Sequence, residues 1–267
     1  MTPALFALFG LIVGSFLNVL ILRNGVETLR GRSACLSCGR KIAWYDLVPV
    51  VSWIYLRGRC RFCGSRISLQ YPLVELLTGI LFGLVGLSSL VLFEKLISLP
   101  ILALLVAIFV YDLRHKIIPD PWVWTFNLLA FLFSLLTTNY LLLTIFSGPI
   151  TALPLFLLWL VSRGTWMGFG DVKLALGMGW LLGSFYGLYA IFFAFVLGAV
   201  ISVPLVFFSS QLWKRSIPYH FLHRFITVKS AKGYTMKSEV PFGPFLVSST
   251  IMVWFAMLYN VPLSLLA

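Results

Sequence analysis

The sequence predicts an all-α polytopic membrane protein with about eight transmembrane helices and a small cytoplasmic loop domain. The chain has 267 residues, of which 60% are hydrophobic and only 10% are charged, whereas soluble domains carry about 25% charged residues. Its apolar runs are continuous over about 17 to 23 residues and do not alternate with period two. Because the backbone inside a bilayer must satisfy its own hydrogen bonds, such runs are expected to form helices.

Eight apolar runs are long enough to be considered as spans. They cover residues 3–22, 72–93, 96–113, 121–138, 140–162, 172–186, 187–208 and 243–263, and the sixth is short and broken by glycine. No basic segment precedes the first run and no small-residue cleavage site follows it, so we expect a permanent span there and not a signal peptide. The predicted domains are the first helix (1–22), a loop domain (23–70) and a membrane core with seven further helices (71–267).

The basic residues indicate the orientation of the chain. Residues 23–70 hold nine Lys or Arg and residues 209–242 hold six. The positive-inside rule places both loops in the cytoplasm, and with eight spans the connections 114–120 and 163–171 face the same side. With Lys173, at the start of the helix that follows, nineteen of the twenty basic residues then lie inside, and only Lys95 lies outside. We interpret the net charge of +12 as contact with anionic membrane lipid and expect no nucleic acid partner.

The loop domain carries all four cysteines of the chain. Cys35 and Cys38 form one C-x-x-C pair, Cys60 and Cys63 form a second, and a glycine follows each pair. Two such pairs at this spacing favour a structural zinc site with four thiolate ligands. Disulfides, which a reducing cytoplasm disfavours, plain buried thiols and an iron–sulfur cluster are the alternatives. A metal would also explain how about 48 residues fold with little core of their own.

Acidic residues are rare, and two of them fall at predicted span ends on the same face of the membrane. Asp112 ends the third span and Asp171 begins the sixth, so the two carboxyl groups are candidates for a shared site. Two carboxyls in one site do not both ionise cheaply, so one serves as acid and the other as base to activate water. This is the chemistry of aspartic proteolysis.

Simpler roles compete for several of these charged groups. Asp171 is also placed to act as a helix N-cap, and Asp120, which precedes Pro121, is better explained as a cap than as a catalyst. Glu75 lies about one turn into the second span, where we expect capping or interhelical hydrogen bonding. Lys173 is expected either to act on Asp171 or to bind lipid phosphate.

Several motifs together resemble the type 4 prepilin peptidases, which are membrane aspartyl proteases with a G-x-G-D motif. "GFGD" with "DVKLALG" matches that motif, and "YDLRHKIIPD" resembles the segment bearing the first aspartate of the family. "GSFLNVLILR", "LVPVVSWIYLRGRC", "SLQYPLVELLTG" and "VPFGPFL" also agree, in order, from about residue 10 to 247.

The resemblance implies a specific activity. Such enzymes cleave the basic leader from pilin-like precursors at the cytoplasmic face of the bacterial inner membrane, and many then N-methylate the new terminal residue with S-adenosylmethionine. The matching catalytic pair is Asp112 and Asp171, and the four cysteines match the zinc-binding set of the members with both activities. The sequence has no glycine-rich cofactor loop after a strand, so no residue is assigned to S-adenosylmethionine.

Three other functions remain open at this stage. A peptidase without methyltransferase activity is the closest. A proton-coupled transporter would require matched inverted halves and acids near the bilayer midplane, and neither is seen. A zinc-bearing scaffold without enzyme activity would tolerate loss of either aspartate.

Overall fold

The computed structural model describes residues 2–24, 31–138, 140–209 and 241–261. Within these ranges the fold is helical, and no strand occurs there apart from two isolated bridges in the loop domain. The helices are α1 (Pro3–Arg23), α2 (Val51–Tyr55), α3 (Gln70–Leu87), α4 (Leu92–His115), α5 (Asp120–Thr137), α6 (Leu141–Ser162), α7 (Phe169–Leu182), α8 (Ser184–Ser209) and α9 (Gly243–Leu258). The prediction of an all-α fold is confirmed.

Each of the eight predicted spans contains a helix of 14 to 26 residues, and α2 is a short addition in the loop domain. Among the described residues, five helices are both long and apolar enough to cross a membrane, namely α1, α3, α4, α6 and α8. The polytopic membrane architecture is thereby confirmed. The number of eight spans and the cytoplasmic side of the loops stay predictions. Much of the second basic loop and some further charged residues lie outside the described residues: Glu27, Arg30, Lys214, Arg215, Arg224, Lys229, Lys232, Lys237 and Glu239.

The sixth predicted span, which is expected to be short and broken by glycine, corresponds to α7. It has 14 residues and ends at Leu182 because Gly183 adopts a φ of +81°, which a helix cannot continue. The predicted boundary of 172–186 was therefore about three residues too late along the chain. The shift matters because it places Asp171 inside the helix.

Helices α1 and α3 pack closely and antiparallel through glycines. A Cβ on Gly10 would lie 2.9 Å from Cα of Gly79, and a Cβ on Gly14 would lie 2.6 Å from Cα of Glu75. Residue numbers increase along α1 where they decrease along α3, so the two helices run antiparallel. Small residues of this kind let transmembrane helix backbones approach closely, and the two ends of the loop domain consequently start side by side.

Helices α4 and α7 form the interior of the bundle. α4 contacts α1, α3, α5 and α9, whereas α7 contacts α5, α6, α8 and α9. Leu105 and Ile108 of α4 and Leu174 and Met178 of α7 are fully buried. Because α5 and α9 touch both interior helices, they set the position of the end of α4 relative to the start of α7.

Candidate active site

Asp112 lies in the last turn of α4 and points into the protein. The helix ends at His115, and the next residue, Lys116, takes a left-handed conformation with φ of +56°. Only 4% of Asp112 is exposed. Its carboxylate accepts a hydrogen bond from the backbone N–H of Gly243, the first residue of α9. That N–H has no partner within its own helix, so a carboxylate at this helix start is favourable.

Asp171 is the third residue of α7 and is 7% exposed. The N-cap is Gly168, so the alternative in which Asp171 is itself the N-cap is wrong. Its carboxylate accepts a hydrogen bond from the backbone N–H of Gly168, and its own N–H donates to the Gly168 carbonyl oxygen at 3.2 Å. The side chain thus still contributes to the helix start, from the third position.

The two carboxyl groups come together at one end of the bundle. They lie close enough for the charge of Asp112 to act on Asp171. Ile118, from the turn between α4 and α5, packs against the starts of both α7 and α9. A Cβ on Gly170 would lie 3.1 Å from Ile118 Cβ, and one on Gly243 would lie 3.3 Å from Ile118 Cδ1 and 2.5 Å from Asp112 Oδ2. Asp112 and Asp171 therefore lie on the same side of the bundle, around Ile118, and their shared role stays a prediction.

Two residues of this site, Ile118 and Gly243, are not assigned to it by sequence reasoning. Gly243 belongs to the "PFGP" turn, which is expected mainly to start the last helix and does so. The sequence feature that could identify Gly243 is a glycine between two prolines, ahead of an apolar run. Ile118 gives no such signal, because an isoleucine in a short connection fits many environments.

Two expectations about neighbouring charges are wrong. Asp120 does not cap α5, since the N-cap is Pro119 and Asp120 is the first helical residue. Its carboxylate pairs with the ammonium of Lys173, with 2.6 Å between Oδ1 and Nζ. Lys173 therefore has a protein partner, whereas a contact with Asp171 or with lipid phosphate was expected.

Glu75 is buried, with 6% exposure, and makes hydrogen bonds of the kind expected. It accepts one from the backbone N–H of Val50, in the loop domain, at 2.7 Å and another from the hydroxyl of Ser15 on α1. Glu75 thereby joins α1, α3 and the loop domain.

The four cysteines of the loop domain form a second site, with their sulfur atoms all within 4.8 Å of one another. Each C-x-x-C pair lies in a tight turn closed by an isolated bridge, and Gly39 and Gly64 take φ of +69° and +70°. These values favour glycine because L residues rarely adopt them. Each glycine thereby lets the chain turn tightly beside its cysteine pair.

The geometry and electrostatics of this cluster suit a tetrahedral metal ion. Cys35 Sγ and Cys63 Sγ are 3.8 Å apart, which is about the edge of a tetrahedron with metal–sulfur bonds of about 2.3 Å. The backbone N–H groups of Cys38 and Ser37, with the hydroxyl of Ser65, lower the pKa of the Cys35 thiol to about 6. A thiolate is the form that binds metal, so the lowered pKa favours the metal-binding form of Cys35.

Comparisons with known proteins identify the family of the chain. Residues 8–89 match the bacterial peptidase A24 N-terminal domain, and residues 99–203 match the type IV leader peptidase family. A prepilin leader peptidase/N-methyltransferase of Vibrio cholerae is 30% identical, and the match covers 94% of this chain and 96% of that protein.

The chain belongs to the type IV leader peptidase family.

Other relatives support the same family. A prepilin leader peptidase/N-methyltransferase of Klebsiella pneumoniae is 34% identical over 66% of this chain and 83% of its own length. One from Myxococcus xanthus is 47% identical, with the match covering 43% of this chain and 36% of that protein. No solved structure matches the chain. Both aspartates lie in the segment that matches the leader peptidase family, and all four cysteines lie in the segment that matches the N-terminal domain.

Proposed function

We propose that Asp112 and Asp171 are the catalytic dyad of a prepilin leader peptidase that also N-methylates its product. The relatives that share its family carry both activities in their names. The observation that carries the assignment is the meeting of two buried carboxyl groups, from the end of α4 and the start of α7, at one end of the bundle. Burying two acids beside each other is costly unless they share a proton, so function explains the pair better than stability does.

The dyad supports general acid–base hydrolysis of a peptide bond. The ionised carboxylate takes a proton from water while the water oxygen bonds to the scissile carbonyl carbon, and the protonated carboxyl donates its proton to the carbonyl oxygen. The tetrahedral intermediate then collapses: one of its hydroxyl groups returns a proton to the dyad as the carbonyl re-forms, the C–N bond breaks, and the departing nitrogen takes the dyad's other proton. The two roles are assigned to the pair and not to individual residues.

The substrate is a pilin-like precursor with a basic leader followed by an apolar helix. When that helix lies in the bilayer, the cleavage point is held at the membrane face where the dyad lies. In the predicted topology this face is cytoplasmic, both main loops are cytoplasmic, and the enzyme resides in the bacterial inner membrane as a multi-pass protein. Membrane lipid surrounds the spans.

We assign zinc to the cysteine cluster and S-adenosylmethionine as the methyl donor. Four thiolates at these distances suit zinc, which would supply structural stability to the loop domain and no chemistry at the dyad. S-adenosylmethionine would supply the methyl group to the amine that cleavage releases. No residue of the chain is assigned to its binding.

Coexpression with a type IV pilin precursor tests this function by the mass of the product. The parent enzyme is expected to remove the leader and add the mass of one methyl group. Asp112→Asn and Asp171→Asn are each expected to reduce cleavage at least about 100-fold, the scale of general acid–base catalysis. Glu94→Gln, in the first turn of α4 at its other end, is the matched control. Leader removal at the parent rate by either aspartate variant would overturn the dyad, and a processed product without the methyl mass would leave a peptidase alone.

A further inference from the structure

Lys173 connects the first turn of α7 to α5 at two points. Its ammonium lies 2.6 Å from the carboxylate of Asp120, the first residue of α5. Its backbone carbonyl oxygen accepts a hydrogen bond of 3.1 Å from the side-chain amide of Asn127. Asp120 and Asn127 are seven residues apart and therefore lie on one face of α5. A single residue of α7 is thus bound through both its side chain and its backbone.

Asn127 is built into the interface between the two helices. It is 1% exposed, and Gly177 of α7 passes directly beneath it, since a Cβ there would collide with Asn127 Oδ1 and with the ring of Phe126. Glycine at position 177 therefore allows α5 to approach closely enough for the Asn127 amide to reach the Lys173 carbonyl.

The same face of this part of α7 also carries an aromatic contact, because Phe169 and Lys173 are four residues apart. The Lys173 ammonium lies 5.4 Å from the ring centre of Phe169, and the Phe169 ring lies 4.9 Å from that of Trp159 on α6. Asp171 stands between Phe169 and Lys173 in the sequence. The residues flanking this carboxyl are consequently fixed against both α5 and α6.

We propose that Lys173 is a positioning residue for the peptidase reaction, and that Asp120 and Asn127 act through it to hold Asp171 in register with Asp112. The inference rests on the proposed function of the two aspartates. Asp171 and Lys173 are the third and fifth residues of α7, so a movement of this end of the helix moves the Asp171 carboxyl with it. Because general acid–base geometry is demanding, a misplacement of about 1 Å can cost about 100-fold in rate.

The test is steady-state cleavage of a pilin precursor by purified full-length enzyme, with kcat and KM measured separately. Lys173→Met keeps the alkyl stem over Phe169 but removes the charge, and we expect kcat to fall about tenfold with KM changed less than about twofold. Asp120→Asn is expected to have a similar effect. The double variant is expected to be no slower than the worse single variant, because both changes break one contact. Lys173→Arg, which restores the ion pair, is expected to recover most of kcat.

Two controls separate positioning from general damage to the fold. Lys95→Met removes an ammonium that binds the Gly86 carbonyl oxygen at 3.0 Å, near the other end of α4, and is expected to keep the parent kcat. Methylation of a pre-cleaved pilin by the same Lys173→Met molecules is expected to continue at the parent rate, since a positioning defect at Asp171 affects only cleavage. An equal loss of both activities would mean that the role is only structural.

The outcomes distinguish this inference from the proposed function. Parent kcat in Lys173→Met, or additive losses in the double variant, would overturn the positioning role. Asp171→Asn is measured alongside: if it keeps cleavage, the dyad itself is wrong. If Asp171→Asn is inactive while Lys173→Met has the parent kcat, only the positioning role fails.

Discussion

The backbone N–H of Val50 donates a hydrogen bond of 2.7 Å to the carboxylate of Glu75. Val50 has φ of +61° and ψ of −51°, and the N–H of Val51 donates to the carbonyl oxygen of Pro49, which makes a γ-turn with positive φ. Such turns are rare and strained, above all for a β-branched residue. A carboxylate buried in α3 therefore stabilises a strained turn of the loop domain, and this contact docks the domain on the membrane bundle.

Removing this acceptor is expected to loosen the loop domain. Glu75→Ala leaves the Val50 N–H without its partner, which costs about 1–3 kcal/mol. Glu75→Gln retains a carbonyl oxygen and is expected to lose less. Hydrogen exchange of the backbone amides from residue 48 to 56 measures the effect, and faster exchange is expected in Glu75→Ala.

A matched control lies at the far end of α4. Glu94 accepts a hydrogen bond from the backbone N–H of Val91 at 3.2 Å and is not part of the loop domain. Glu94→Ala is therefore expected to leave exchange at residues 48–56 unchanged. Equal exchange of this segment in Glu75→Ala and the parent protein would contradict the docking role.

A side chain at position 243 is expected to displace Asp112. The Cβ of Gly243→Ala would lie 2.5 Å from Asp112 Oδ2 and 3.3 Å from Ile118, so the carboxylate must move. We expect cleavage of a pilin precursor to fall by about tenfold to 100-fold, because the dyad loses its geometry. Gly198→Ala on α8 is the control, since its Cβ would meet only the Phe245 ring at 3.5 Å. Normal cleavage by Gly243→Ala would show that the observed position of Asp112 is not the working one.

Removal of the metal is expected to unfold the loop domain and to spare the membrane bundle. Apart from the cysteine cluster, each C-x-x-C turn (a knuckle) has one isolated bridge, Ala34 with Lys41 or Arg59 with Arg66, and a few backbone hydrogen bonds. The second knuckle also has the ion pair between Arg61 and Asp46. Metal binding therefore supplies most of the folding free energy of the knuckles. Cys35→Ser/Cys38→Ser is expected to lose the zinc measured by elemental analysis and to expose residues 31–69 to protease. Retention of one zinc per chain in this variant would show that the cysteines do not hold it.

Close packing of α1 on α3 is expected to depend on Gly14. A Cβ there would lie 2.6 Å from Glu75 Cα, so Gly14→Ala must separate the helices and is expected to destabilise the protein by about 1–3 kcal/mol. Gly83→Ala is the milder comparison, since its Cβ would meet the Ala7 methyl at 3.3 Å. Thermal unfolding in detergent ranks the two variants, and equal midpoints would argue against the glycine contact.

Features that depend on local sequence were predictable. The helices follow from continuous apolar runs, and the cysteine cluster follows from two C-x-x-C-G turns whose geometry is fixed within five residues. The juxtaposition of Asp112 and Asp171 followed from topology, because charge placement assigned both helix ends to one face. No knowledge of side-chain packing was needed for these three inferences.

Features that depend on packing between distant segments were not predictable. Asp120 and Lys173 are 53 positions apart, and each has a reasonable role alone, as a helix cap and as a lipid contact. Asp120 and Lys173 form an ion pair only because α5 packs closely on α7, which Gly177 permits. Likewise, nothing in the sequence shows that an amide from the start of α9 reaches Asp112. Such contacts arise from the relative position of helices and not from any segment taken by itself.

The antiparallel contact of α1 and α3 makes the loop domain a removable insert. Asn18 on α1 binds the carbonyl oxygen of Tyr71 on α3 at 3.1 Å, so the helix ends on either side of the domain already touch. A few residues would suffice to connect them. The two aspartates lie on α4 and α7, beside the start of α9, and not in the loop domain. A shortened enzyme that lacks residues 25–68 is therefore architecturally possible, and we expect it to keep the site of Asp112 and Asp171 while losing the cysteine cluster as one unit.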